Sequence, residues 1–172
     1  MNFTFTEEEE KFRGDIRDFC LKAQHEESAE GLPESGKSLG SFSPEFYRKV
    51  IDKVTIPWVL HSDGNITEVM NLFIDLGAAA FHPIEKGAMD IAAVKKAYGD
   101  RACLLGNVDL NILGAGTPEQ TDQEVAYLIR NVAPGGGYIL TSGNSLASYL
   151  DPACVIAMSQ AVKKYGRYPI TI

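Results

Sequence analysis

Four short apolar runs, each closing on a cluster of polar side chains, constrain this chain more than any other feature. Ile56-Pro57-Trp58-Val59-Leu60 leads into His61-Ser62-Asp63-Gly64, and the run ending at Phe81 leads into His82-Pro83-Ile84-Glu85. Leu104-Leu105 precedes Gly106-Asn107-Val108-Asp109, and Tyr138-Ile139-Leu140 precedes Thr141-Ser142-Gly143-Asn144. Runs of this length, bounded by turn residues, read as buried strands, here 80–84, 103–108 and 138–141 after a first strand ending at His61. Helical patterns separate them. Ile66, Val69, Met70, Phe73 and Ile74 share one helical face, and Gly77 closes that helix. Asp90 caps a helix carrying Ile91, Val94 and Tyr98. Thr117-Pro118-Glu119-Gln120 is a capping box with Pro at the first helical position, opening a helix through Val125, Leu128, Ile129 and Val132. Asp151-Pro152 opens the last helix, which Gly166 stops. Such alternation demands parallel strands covered by helices, either an open doubly wound sheet or part of a (β/α)8 barrel. Periodicity leaves both open. In either, chemistry belongs at the carboxyl ends of the strands, where the four polar clusters fall.

The first third of the chain reads differently. Thr6-Glu7-Glu8-Glu9 is a capping box, and Phe12, Ile16, Phe19 and Cys20 predict an amphipathic helix over about 7–23. Residues 25–40 are rich in Glu, Ser, Gly and Lys and predict a linker. Ser43-Pro44-Glu45 starts a further helix with Phe46, Tyr47, Val50, Ile51 and Val54 on one face. The expected organisation is therefore a helix and linker over 1–42, followed by a βα region over 43–172.

Charge and composition exclude several classes. A net charge of −7 with a pI near 5.0 gives no basic stripe for phosphates, so no nucleic-acid partner is expected. Cysteines 20, 103 and 154 have no C-x-x-C spacing and fit reduced, small buried hydrophobes. The acidic N-terminus is not a signal peptide, and no run approaches the ~20 apolar residues of a membrane span. A cytoplasmic location is the expectation. No G-x-G-x-x-G follows a strand, and Gly135-Gly136-Gly137 precedes a strand instead of a helix. It reads as a loop, not a phosphate cradle.

Over residues 56–169 the sequence resembles the C-terminal half of uroporphyrinogen decarboxylase and its corrinoid-linked methyltransferase relatives. The resemblance is carried by Ile-Pro-Trp-Val-Leu-His-Ser-Asp-Gly-Asn at 56–65, His82-Pro83-Ile84-Glu85, Met89-Asp90-Ile91 and Gly106-Asn107-Val108-Asp109. Gly-Gly-Tyr-Ile-Leu-Thr-Ser-Gly at 136–143 and Lys164-Tyr165-Gly166-Arg167-Tyr168-Pro169 complete it. It implies an α/β fold, a partial (β/α)8 TIM barrel in which this chain supplies the last four βα units. Four units leave open edges and an uncovered inner face, which implies either pairing with another copy or with a complementary half-barrel, or a truncated or split product. Residues 3–24 and 43–50 resemble the N-terminal helices of acyl-CoA dehydrogenases, without the flavin-binding parts of that family.

His61 and Asp63 are two apart at a strand end and can face one side. In the methyltransferase branch the first strand ends His-x-Cys, and with a second Cys after the last strand it holds zinc. By position His61 matches the His, Asp63 stands where the first Cys would be, and Asn144 falls near the second. The resemblance thus implies zinc at His61 and Asp63, completed by Glu85 or water, and a corrinoid on a partner protein. Alternatively Asp63 caps the next helix or bonds His61. His82-Pro83 reads as a shaped turn. Glu85, Asn107, Asp109 and Asn144 read as substrate contacts or structural hydrogen bonds. The Gly-His-Gly that decarboxylases carry near Asn144 and Ser145 is absent, and the decarboxylase arginines and Asp belong to the other half-barrel. The functions to weigh are methyl transfer with a corrinoid partner and a non-catalytic half-barrel module. Uroporphyrinogen decarboxylation by this chain alone is the third.

Overall fold

The computed structural model describes residues 56–170 continuously, and before them only residues 6–8, 10–11, 13–15, 17–18, 22 and 52. The chain divides into two compact units, Met1–Thr55 and Ile56–Ile172. In the first, the described positions between Glu7 and Lys22 are helical, and the Glu10 amide donates to Thr6 O at 2.9 Å. Cys20, the linker and the helix expected after Ser43 lie outside the described residues, apart from Asp52.

The second unit runs β1 (Trp58–His61), α1 (Met70–Asp75), β2 (Ala78–His82), α2 (Ile91–Tyr98), β3 (Cys103–Val108) and α3 (Leu110–Ala115). It continues with α4 (Pro118–Val132), β4 (Tyr138–Ser142) and α5 (Pro152–Tyr165). All strand pairs are parallel, in the order β1-β2-β3-β4. That order separates the two architectures left open above. Doubly wound sheets reverse direction at a switch point, whereas unbroken sequential neighbours with right-handed crossovers put every helix on one face. This is the arrangement of a (β/α)8 barrel segment.

Burial follows. Register aligns Leu60 with Phe81, Phe81 with Leu104, and Leu104 with Tyr138, all on the helix-covered face. Phe81, Leu104 and Val108 are fully buried there against Met70 of α1 and Val125, Leu128 and Val132 of α4. Burying a side chain such as Phe81 contributes about 1.5–3 kcal/mol. Trp58 meets Phe73 edge-on at 6.5 Å between centroids. Among the described residues the opposite face is bare of helices, and on its two outer strands Val59 is 50% exposed and Ile139 53%.

The helix signals act locally. Asp90, Asp109 and Asp151 each accept a hydrogen bond from a first-turn amide. Thr117 and Gln120 form the full reciprocal capping box. Several boundaries differ from expectation: β2 begins at Ala78 and not at 80, and β4 runs on to Ser142. β2 stops at His82 because Pro83 offers no N–H and Ile84 turns to φ 55°. Helix α1 begins only at Met70, behind turns at 67–69. Helix α3 was not foreseen; it is one capped turn and a half, anchored by the fully buried Leu113. Among the described residues no helix is long and apolar enough to cross a membrane.

Candidate functional site

Parallel pairing in register brings the four strand tips side by side. His61 is aligned with His82, and the Ser62 amide donates to His82 O at 3.0 Å. The two rings meet through their Nδ1 atoms at 2.7 Å, with centroids 4.8 Å apart. One ring donates and the other accepts. His82 Nε2 lies 3.4 Å from Ser142 O, so the same imidazole reaches from β2 towards the tip of β4. His61 therefore spends its Nδ1 on His82 and not on Asp63. Nor does Asp63 cap α1, whose N-cap is Val69 without a side-chain bond.

The β2 tip is the most constrained part of the site. Ile84 is fully buried at φ 55°, a left-handed conformation that a β-branched residue adopts only under external constraint. Asn107 supplies one: its Nδ2 donates to Ile84 O at 2.5 Å. Gly106 supplies another, since its backbone sits so close to Pro83 that a Cβ there would lie 2.0 Å from Pro83 O. Tyr138 in turn donates its hydroxyl to Gly106 O at 2.5 Å. Burial is the main force raising the Tyr138 phenol well above its ordinary range, with the Glu124 charge adding to it. The outcome is a fixed Glu85, whose Oε2 accepts the Gly64 amide from the β1 tip. At β4, Asn144 Oδ1 accepts from Ser145 N at 2.8 Å and Ser142 Oγ donates to Asn144 O at 2.7 Å.

Between these tips lies a cleft of about 390 Å³. It is lined by Asp63 from the first tip, Glu85 from the second, Asn107 and Asp109 from the third and Asn144 from the fourth. Five of the six residues singled out in the sequence therefore converge; His61 does not line the cleft. Asp109 has a double role, since its Oδ1 also caps α3 through Asn111 N at 2.8 Å. Lys86, Asn111 and Tyr149 line the cleft as well and were not singled out. A lysine beside Glu85 and an exposed tyrosine ahead of the Asp151 cap carry no motif, so only their placement reveals them.

The zinc expectation meets a geometric test here. A zinc centre needs three or four protein ligands converging on one point. Among the described residues no group of three His, Cys, Asp or Glu side chains could hold a metal ion. The described residues do not fit that group. Cys103 lies partly buried on the bare face, where burial raises its thiol above the ordinary range although the Lys95 charge pulls it down.

A cleft at the carboxyl ends of sequentially ordered parallel strands defines the ligand end of a (β/α)8-type module. Its lineage is equally clear: residues 29–165 match the sequence model of the family described as uroporphyrinogen decarboxylase (URO-D), and the chain belongs to that family. It is 27% identical over 141 residues to uroporphyrinogen decarboxylase of Pseudoalteromonas translucida, covering 77% of this chain and 38% of that protein. It is 35% identical over 82 residues to uroporphyrinogen decarboxylase of Methylibium petroleiphilum, covering 46% and 22% respectively. The chain thus spans well under half the length of these curated relatives. Among solved structures it resembles a methyltransferase from Methanosarcina mazei with a TM-score of 0.61 at 23% identity, over 73% of this chain and 36% of that one. That likeness supports the half-barrel fold.

Proposed function

We propose that this chain provides the ligand-binding strand-end half of a URO-D-family barrel whose reaction is methyl transfer from a corrinoid carried by a partner protein. One observation carries the reading: the cleft collects polar side chains from the tips of all four strands. Methyl transfer is preferred to decarboxylation on electrostatic grounds. A decarboxylase substrate carries at least one carboxylate, and the cleft presents Asp63, Glu85 and Asp109. Lys86 is the one basic residue among its described lining residues, and it is paired with Glu124. Like charges at close range disfavour such a ligand. No chemical step is routed through zinc, since His61 and Asp63 alone do not make a metal centre; a metal there would need donors from beyond the described residues. The role assigned to Asp63, Glu85, Asn107, Asp109 and Asn144 is to bind and orient the methyl acceptor. The test is direct: the whole chain is mixed with methylcob(III)alamin and 2-mercaptoethanol, and the cob(I)alamin absorbance is followed. A rate above the protein-free control that falls about tenfold or more in Glu85→Gln supports the reading. A rate equal to the control refutes it.

A second reading, a non-catalytic module that pairs with a second copy or a complementary half-barrel, is favoured by the bare inner face around Val59 and Ile139. Among the described residues β1 and β4 also each have a strand on one side only. Light scattering of the whole chain, alone and with Val59→Asp, tests it. A monomer in both cases counts against self-pairing.

A further inference from the structure

The cleft has a chemical bias that methyl transfer by itself does not explain. It presents carboxylates from three different turns, and its lysine is engaged with Glu124 on α4. Asp109 and Glu85 each accept one backbone N–H, and an ionised carboxylate has room for more donors. Beneath them Asn107 is 2% exposed, lines the same cleft, and has a committed amide nitrogen. Its Oδ1 receives no hydrogen bond from any described residue. A buried acceptor left without a donor is costly, so natural sites seldom keep one unless something else supplies the proton. Tyr149, 67% exposed, brings an aromatic ring to the same cleft.

These features select one chemical class. An anion would meet the carboxylates. A metal ion would need three converging donors, which the described residues do not provide. A quaternary ammonium would satisfy the charge and the ring but has no proton for Asn107. We infer that the cleft takes an organic ammonium ion retaining at least one N–H, a primary or secondary alkylammonium. Its N–H reaches Asn107 Oδ1, Asp63 and Glu85 balance its charge, and its carbon chain lies against Tyr149. A cleft of about 390 Å³ has room for a short diamine. The inference rests on the cleft being the working site and names the charged group by which it holds its ligand; an ammonium has no lone pair, so the atom that accepts the methyl group is a different one.

Calorimetric titration of the whole chain with 1,4-diaminobutane at low ionic strength tests it. The fully N-methylated bis-quaternary analogue, equal in charge but without N–H, serves as the paired probe, and citrate as the polyanion. The diamine should bind at one site per chain, and the analogue about tenfold or more weakly, the worth of a charge-assisted hydrogen bond. Asp63→Asn and Tyr149→Ala, both at exposed positions, should each weaken the diamine about threefold or more. Equal binding of diamine and analogue would show general ionic attraction and overturn the inference. So would tighter binding of citrate, absence of diamine binding, or affinities unmoved by both variants. Neither corrinoid nor thiol is present in this titration. Diamine binding without methyl transfer would overturn the reaction alone; methyl transfer without diamine binding would overturn the ligand class alone.

Discussion

Gly106→Ala probes the contact on which the site geometry depends. A Cβ at this position would fall 2.0 Å from Pro83 O and 3.0 Å from its carbonyl carbon, where real Cβ atoms essentially never approach within 3.0 Å. The obstacle is backbone, which cannot rotate aside. Overpacking of this kind costs about 1–3 kcal/mol. The residue also sits at φ 141°, where an L side chain adds about 1–2 kcal/mol. The expected loss is therefore about 2–5 kcal/mol. Gly135→Ala is the matched control, because it has φ 81° with nothing within 4 Å of the added Cβ. It should lose only the conformational part, about 1–2 kcal/mol. Urea unfolding of the whole chain, followed by circular dichroism, reads the difference as a midpoint lower by roughly 1 M in Gly106→Ala, at an m-value of about 1–3 kcal/mol/M. Relief of the clash also displaces Pro83, and with it Ile84 and Glu85, so diamine binding should weaken in Gly106→Ala and not in Gly135→Ala. Equal midpoints for the two variants would refute the claim that β3 braces the β2 tip.

Other consequences can be measured separately. Phe81→Ala, at a fully buried position, should cost about 3–5 kcal/mol, whereas Val59→Ala on the bare face should cost under about 1 kcal/mol; thermal melts that rank them otherwise would contradict the assignment of the two sheet faces. Thr117→Ala removes half of the capping box and should lower stability by about 0.5–2 kcal/mol in the same melts, with no change meaning the cap is dispensable. Zinc measured by mass spectrometry of the metal-equilibrated chain should be far below one per chain and unaffected by His61→Ala; stoichiometric zinc lost in that variant would reveal ligands from elsewhere. The folded state raises the Tyr138 phenol, so it holds that proton more tightly than the unfolded chain does. Its contribution is fully present below the unfolded phenol pKa of about 10 and is lost as pH rises further, and Tyr138→Phe should flatten that alkaline decline.

Much of the fold was legible because its signals are local. Asp90, Thr117 and Asp151 sit at helix starts where each makes its bond within three residues, so spacing alone locates them. The strand at 103–108 was bounded correctly by its apolar run. At the end of β2 a longer-range contact moved the boundary: β2 ends early because Ile84 is held in a left-handed turn by Asn107, 23 residues away. The same holds at the site. His61 and Asp63 look like one pair in the sequence, yet His61 joins His82 across 21 residues while Asp63 joins the cleft.

By itself the sequence determined that strands and helices alternate, that the strands are parallel, and that polar groups gather at their carboxyl ends. Hydrophobic periodicity and capping act over a few residues, so they survive being read in one dimension. Tertiary structure alone decided that five tip residues share a cleft without His61 and that His61 joins His82 instead; the sequential strand order and the uncovered inner face followed from the family resemblance and not from periodicity. Tertiary structure also decided that Asn107 is buried with an acceptor to spare. Those outcomes depend on register and on single backbone dihedrals. A shift of one residue or one φ value redirects a side chain to the other face, and no local pattern in the chain encodes that choice.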